Sequence, residues 1–244
     1  MMIKEYYMKL YAVWYGKDYK YGTRGSVYKD CENPDEVLDD FVFLYYIAEV
    51  ENNLIYIDTG FRDKALAEKM GITLFEVEQE IQQVFLGKRP RVVMLTHTHW
   101  DHINNLDQYQ DAEIIVSELA YATMLNYVNV SEKVKNMDWS KCTKVTRELE
   151  VAKFFRFVVI GGHTPDSAII KFQVGNKNYV ITGDECYFCD NLTKERLVGT
   201  YVSSKKNRAF IQEMRKEGRI PFTFHDKSIL DKGKKITEHI VQVL

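Results

Sequence analysis

"LTHTHWDHINNL", residues 95–106, places three histidines and an aspartate within six positions, directly after the apolar run Arg91 to Leu95. The chain has only six histidines in 244 residues, so half of them stand in this one stretch. Arg91 to Leu95 reads as a short buried strand, and from Thr96 onward the chain leaves its carboxyl end, where sheet proteins commonly place ligand groups. In extended chain, side chains two apart point the same way, which aligns His97, His99 and Asp101. On a helix, residues two apart diverge by roughly 200°. The spacing therefore predicts a loop, with Asp101 or His102 opening the next helix. Two imidazoles and a carboxylate on one side, with His102 adjacent, suit Zn²⁺ or a similar divalent ion. A single catalytic ion uses about three protein ligands, so these four groups point to two metals.

A second ion needs ligands from elsewhere. His163 follows Val158, Val159, Ile160 and two glycines; Asp184 follows "YVITG"; His225 follows "IPFTF". Each stands at the end of a predicted strand. His239 lies in the terminal amphipathic stretch and reads as a surface or packing histidine. Taken singly, each residue has an ordinary explanation as a hydrogen-bonding loop residue. That explanation fails for five histidines and an aspartate at strand ends in a chain that carries H-x-H-x-D-H.

Composition sets the frame. Hydrophobic residues make up 45% and charged residues 28%, as in an ordinary globular protein, and four prolines leave no linker to divide the chain. One domain over residues 1–244, with two layered halves, is expected. Formal charge is −2, which disfavours nucleic acid and anionic lipid as partners. The first fifteen residues are broken by Lys4, Glu5 and Lys9, unlike a signal peptide, and no segment reaches about 20 apolar residues. A cytoplasmic address and a small-molecule substrate are expected. Cys186 and Cys189 form a C-x-x-C without a second pair, and with Cys31 and Cys142 they read as ordinary reduced thiols.

Apolar patterning predicts strands at Lys9–Tyr15, Phe41–Glu49, Leu54–Ile57, Arg91–Leu95, Phe155–Ile160, Ala168–Val174 and Tyr179–Thr182. Helical spacing runs from Thr73 to Leu86, with Thr73 and Glu76 as a capping box. Further helices are predicted at Ser117–Tyr127, Lys205–Lys216 and Lys235–Val243. Segments 16–40 and 128–150 show little periodicity and read as loops over a site, with Tyr21, Tyr28 and Met137 as candidates for lining it.

"HTHWDH", "GGHTPDS", "TGDE" and "FTFHD", in that order and with "YIDTG" upstream, resemble the metallo-β-lactamase superfamily over nearly the whole chain. Within it the chain is most similar to N-acyl-homoserine lactonases, in the intervals of 61 residues from His102 to His163, 21 to Asp184 and 41 to His225. The resemblance implies an α/β fold, an αββα sandwich of two mixed sheets face to face with helices outside. It implies that His97, His99 and His163 hold one metal, that Asp101, His102 and His225 hold the other, and that Asp184 bridges them. Tyr187 matches the tyrosine that these lactonases turn toward substrate. The chain departs from the usual G-H-[ST]-P-G-H, with Asp166 and Ser167 after Pro165. The second histidine of that pattern is not ordinarily a ligand, so the metal site survives and substrate identity is what the departure touches.

The resemblance implies a hydrolase, in which two divalent ions would supply activated water and polarise a substrate carbonyl. Asp101 is the candidate proton carrier and Tyr187 the candidate oxyanion donor, while Asp58 either orients a ligand histidine or caps the following turn. The leading expectation is opening of a lactone, as in quenching of acyl-homoserine lactone signals, or cleavage of a related ester. The competing readings are a glyoxalase II-type thioester hydrolase, a phosphodiesterase, and a non-catalytic metal-binding protein. Zinc is the expected metal, and Fe²⁺, Mn²⁺ and Co²⁺ suit the same ligands.

Overall fold

The computed structural model describes residues 8–244, so Lys4 and Glu5 of the N-terminal reading lie outside the described residues. Among the described residues fourteen strands are formed: β1 Met8–Asp18, β2 Val42–Val50, β3 Asn53–Ile57, β4 Ile72–Leu74, β5 Pro90–Met94, β6 Glu113–Ser117, β7 Thr143–Val145, β8 Glu148–Val151, β9 Phe155–Val159, β10 Ala168–Val174, β11 Lys177–Ile181, β12 Ile220–Phe222, β13 Lys234–Lys235 and β14 Ile240–Gln242. Nine belong to one sheet, ordered β13-β14-β1-β2-β3-β5-β6-β7 with β4 on β1. Five form the other, ordered β12-β11-β10-β9-β8. Both sheets are mixed: β3, β5, β6 and β7 run parallel, as do β11 and β12, while the remaining pairs are antiparallel.

The sequence explains how the layers meet. β2, "VFLYYIAEV", is a continuous apolar run and is buried along almost its whole length, as a strand covered on both faces must be. Tyr46 points to the inner side, where its hydroxyl donates to the carbonyl of Thr223 and its ring meets Phe222 and Phe224 edge-on. The outer face of the second sheet is covered by the helix Ser204–Lys216, which buries Asn207, Phe210, Ile211 and Met214, a single stripe at helical spacing. Phe210, Ile211 and Met214 pack with Ile169 of β10 and Val180 of β11. Ser203 caps this helix by accepting from the Lys206 amide, and Arg215 and Lys216 face its negative end. Helices Lys64–Met70 and Glu78–Val84 lie along the first sheet, where Phe85 meets Tyr11 edge-on at 5.1 Å. The order is therefore helix, sheet, sheet, helix. Among the described residues no helix is long and apolar enough to cross a membrane.

All seven predicted strands are present, and three helical expectations are corrected. The helix expected over Thr73–Leu86 is confined to Glu78–Val84, because Ile72–Leu74 pairs with Gly16–Asp18 as β4. Glu76 accordingly reaches Lys64 at 2.6 Å and closes no capping box. Ser117 completes β6, which shortens the next helix to Ala120–Met124. The terminal segment Lys235–Val243 is not a helix: its apolar residues fit helical spacing, but β1 offers an open edge, and Ile240 takes the place opposite Val13. His239 packs there as expected, donating to Glu80 at 2.7 Å and stacking on Phe75. Segments 16–40 and 128–150 are not pure loops either, since they contain the short helices Arg24–Val27 and Glu132–Lys135 and the strands β7 and β8.

Candidate metal centre

Five chain segments converge at one edge of the two sheets. β5 ends at Met94, and the Leu95 amide still donates to Ile115 of β6, so the chain leaves the sheet at Thr96. His97 and His99 come next in extended chain, and the helix Trp100–Ile103 begins one residue before the expected Asp101. Asp101 and His102 stand in its first turn. β9 leads to Gly162 and His163, β11 to Gly183 and Asp184, and β12 to His225. Gly183 has φ +52°, and a Cβ there would stand 2.9 Å from Cβ of Thr96, so only glycine brings the β11 end against the β5 end.

The seven residues singled out from the sequence come together in two groups. His97, His99, His163 and Asp184 form one, and Asp101, His102 and His225 the other; within each, the ligating atoms lie within 4.8 Å of one another. Asp184 divides its carboxylate between them. Its Oδ2 is 3.6 Å from Nε2 of His97 and 3.6 Å from Nε2 of His163. Its Oδ1 is 3.4 Å from Nε2 of His102 and 3.3 Å from Nε2 of His225. Asp101 Oδ2 completes the second group, 3.6 Å from His102 and 3.7 Å from His225. His99 enters through Nδ1, 3.0 Å from His97 Nε2 and 3.1 Å from His163 Nε2.

Whether divalent ions fit is decided by the buried polar atoms. Nε2 of His102, Nε2 of His225 and Oδ1 of Asp184 are buried without a hydrogen-bond partner, a costly arrangement unless something else satisfies them. Three outer imidazole nitrogens are committed to acceptors. His102 Nδ1 donates to Asp58 at 2.7 Å, His163 Nδ1 to the Thr200 carbonyl at 2.8 Å and His225 Nδ1 to the Val42 carbonyl at 2.9 Å. Each such bond fixes the tautomer that turns a lone pair inward. Burial and the neighbouring imidazoles push His97 and His99 well below the ordinary histidine range, so both are neutral donors. Burial works against ionisation of Asp184, but His102 and His225 outweigh it and keep the group a carboxylate. Imidazole nitrogens and carboxylate oxygens around unsatisfied atoms match the chemistry of divalent ions. Burial opposes a charge on His102, but Asp184, Asp101 and Asp58 outweigh it and hold that imidazole well above the ordinary histidine range, a proton that a bound ion would displace.

Asp58 stands at the end of β3 with φ +61°, and it serves both groups. Besides His102, it accepts from the Thr96 amide at 2.7 Å and the Thr96 hydroxyl at 2.6 Å. That hydroxyl lies 3.2 Å from Nδ1 of His97 and is left free to accept from it. One carboxylate thus reaches a histidine in each group, directly at His102 and through the Thr96 hydroxyl at His97.

Glu185 is the residue that sequence reasoning missed. Fully buried, its Oε1 accepts from the amides of Gly162 and His163, at 2.8 and 2.9 Å, and from the Ser167 hydroxyl at 2.6 Å. Asn207 of the outer helix donates to Oε2 at 2.8 Å. A Cβ at Gly162 would stand 2.3 Å from that oxygen. Ser167, where the usual pattern has histidine, is therefore tied to the carboxylate that anchors the His163 loop. The signal was present in "TGDE", but two adjacent acids do not announce which faces the metals. Glu185→Ala leaves two buried amides without an acceptor and is expected to lower stability by about 3 kcal/mol or more. An unchanged midpoint in urea denaturation would remove Glu185 from this role.

The other candidates take different places around the centre. Tyr187 is buried, with its ring 5.6 Å from His163 and 5.2 Å from His225. Burial, then Asp184, pushes its phenol well up, so it is a hydrogen-bond donor at neutral pH. Asp166 is buried and accepts from the Thr164 hydroxyl at 2.7 Å, a local turn contact. Tyr21 packs edge-on against Trp100 beside the site, whereas Tyr28 lies under Arg196 and Met137 packs against the core. Cys186 and Cys189 are free buried thiols; burial pushes both up, Cys189 to about 12. Neither belongs to the ligand groups.

The sequence profile of the metallo-beta-lactamase superfamily matches residues 37–231. The chain belongs to that superfamily. Comparison with curated protein sequences gives no match. Among solved structures, the chain is similar to an N-acyl homoserine lactone hydrolase with the product N-hexanoyl-L-homoserine bound at its catalytic metal centre. The two share 19% identity over 90% of this chain and 94% of that one, with a TM-score of 0.74. It is also similar to AbOPH, a hydrolase of the beta-lactamase superfamily, at 16% identity over 92% and 91% of the two chains and a TM-score of 0.67. A third likeness is to AidC, a dizinc quorum-quenching lactonase in complex with a product, at 15% identity over 91% and 89% and a TM-score of 0.62. At these identities the likeness is one of fold. Family, fold and the buried His/Asp cluster make the chain a metal-dependent hydrolase of the metallo-beta-lactamase superfamily.

Proposed function

We propose that the protein opens a lactone of the N-acyl-homoserine type, or cleaves a closely related carboxylic ester, at a dinuclear centre. His97, His99 and His163 would hold one ion, Asp101, His102 and His225 the other, and Asp184 both. The observation that carries this reading is the Asp184 carboxylate, with one oxygen toward each histidine group. When bound, a pair of divalent ions such as Zn²⁺ activates water for attack and polarises the substrate carbonyl.

The chain's own groups supply the rest. The neutral Tyr187 phenol, against both His163 and His225, donates a hydrogen bond to the oxyanion that develops on the carbonyl oxygen. Asp101 takes the proton of the attacking water and returns it to the leaving alkoxide, whose C–O bond breaks as the tetrahedral carbon collapses. The Asp58 and Thr96 bonds hold the imidazoles in place throughout. An apolar acyl chain is favoured over a phosphodiester by the rim: Tyr127 packs its ring 4.5 Å from His99, and the adjacent Val128 and nearby Leu125 are exposed. A polyanion would find no charge partner in those side chains.

The metal-loaded protein is to be screened against an N-acyl-homoserine lactone, an acyl thioester and a phosphodiester, with elemental analysis alongside. Two ions per chain and the highest kcat/KM on the lactone are expected. A higher kcat/KM on the thioester or the phosphodiester would overturn the substrate class, and a full complement of ions with no hydrolysis of any of the three would overturn catalysis. Tyr187→Phe is expected to lower turnover on the lactone by about 10 to 100-fold with metal content unchanged. An unaltered kcat would make Tyr187 a packing residue.

A further inference from the structure

A cavity of about 710 Å³ opens on the outer face of the first sheet, under the helix Glu78–Val84. Alternation places it there: Tyr46 of β2 points inward, so Tyr45 points out, and with it Tyr56 of β3 and Tyr15 of β1. Its wall is a row of four tyrosines. Ring centroids are 5.7 Å apart for Tyr15 and Tyr45, 6.1 Å for Tyr45 and Tyr56, and 5.2 Å for Tyr56 and Tyr109. The volume is that of a drug-sized ligand site, and the metal chemistry uses none of it.

Two features say what it would take. The first is a set of hydroxyls on an aromatic wall that the protein leaves to solvent. Tyr15 donates to the Asp101 carbonyl at 2.6 Å, but the hydroxyls of Tyr45, Tyr56 and Tyr109 have no protein hydrogen-bond partner among the described residues. The second is charge. The rim carries Arg62, Lys64, Lys88 and Arg89 against Glu76 and Glu78. Lys64 pairs with Glu76 at 2.6 Å, Arg62 with Glu78 at 4.0 Å and Lys88 with Glu49 at 3.6 Å. Arg89 lies over the Tyr109 ring at 5.9 Å and donates to the Gln108 carbonyl, with no carboxylate partner among the described residues.

We propose that this cavity is a second ligand site for one aromatic anion, its ring body on Tyr45, Tyr56 and Tyr109 and its acidic group against Arg89. Tyr15 lines the cavity and holds the Asp101 carbonyl, so the site adjoins the metal centre from behind. The proposal stands apart from the hydrolase reading, since binding here needs no metal.

The test is a fluorescence titration with 8-anilinonaphthalene-1-sulfonate, on metal-loaded and metal-stripped protein whose native circular dichroism has been checked. One saturable site is expected in both. Arg89→Glu, which reverses the unpaired charge, and Gln82→Trp, an exposed position on the helix that would fill the mouth, are each expected to weaken binding about tenfold or more. Val128→Asp, beside the metal centre, is expected to leave it unchanged. Absence of saturable binding to the folded protein, affinity blind to both Arg89→Glu and Gln82→Trp, or loss of binding in Val128→Asp would overturn the proposal.

Discussion

Asp184→Ala is expected to reduce bound metal from two ions per chain to one or none and to lower kcat/KM on the lactone by about a thousandfold or more. The magnitude comes from the several kcal/mol of charge stabilisation that a bound ion contributes, each 1.4 kcal/mol being tenfold. Asp184 is singled out because it faces both histidine groups, with Oδ2 3.6 Å from His97 and His163 and Oδ1 within 3.4 Å of His102 and His225. His102→Ala removes a donor from one group only and is expected to lose that group's ion first. Elemental analysis and steady-state kinetics on both variants check the assignment. An Asp184→Ala protein that keeps two ions and full rate would show that the carboxylate is a neighbour of the centre and not its bridge.

The site was legible before the fold because its chemistry is written locally. H-x-H-x-D-H needs only an extended chain after a strand to align its donors, and the structure supplies that at the end of β5. His163, Asp184 and His225 were legible for a related reason: each comes after an apolar run ending at the same sheet edge. What was not legible is what depends on partners distant in sequence. Ile236, Ile240 and Val243 fit a helix as well as a strand, and only the open edge of β1 chooses. Leu74 fits the helix that comes after it, yet it pairs with Gly16 of β1 in β4. Glu185 accepts from backbone amides 22 and 23 residues away and from the Asn207 side chain, contacts that no periodicity encodes. The cavity behind Tyr15 belongs to the same class, since alternation places tyrosines on one face but does not say that a helix stops short of covering them.

Asp58→Ala is the substitution that tests whether orientation, rather than ligation, limits the centre. Asp58 touches no ion in the proposed scheme, yet it holds His102 directly and His97 through the Thr96 hydroxyl. Removing it frees both rings to adopt the other tautomer, and loss of such a partner typically costs 10–100-fold in metal affinity. Because one carboxylate serves a histidine in each group, the upper end, about 100-fold, is expected, and for both ions. The Thr96 amide also loses its acceptor in a site that is wholly buried, so stability without metal should fall by about 3 kcal/mol. Asp58→Asn separates the two effects: its amide oxygen still accepts from the Thr96 amide and restores much of the stability, while it has one acceptor oxygen where the carboxylate had two. Competition with a chromophoric chelator measures the affinities and urea denaturation the stability. Metal affinity that survives both substitutions would mean that packing alone, and no hydrogen-bonded carboxylate, points these imidazoles inward.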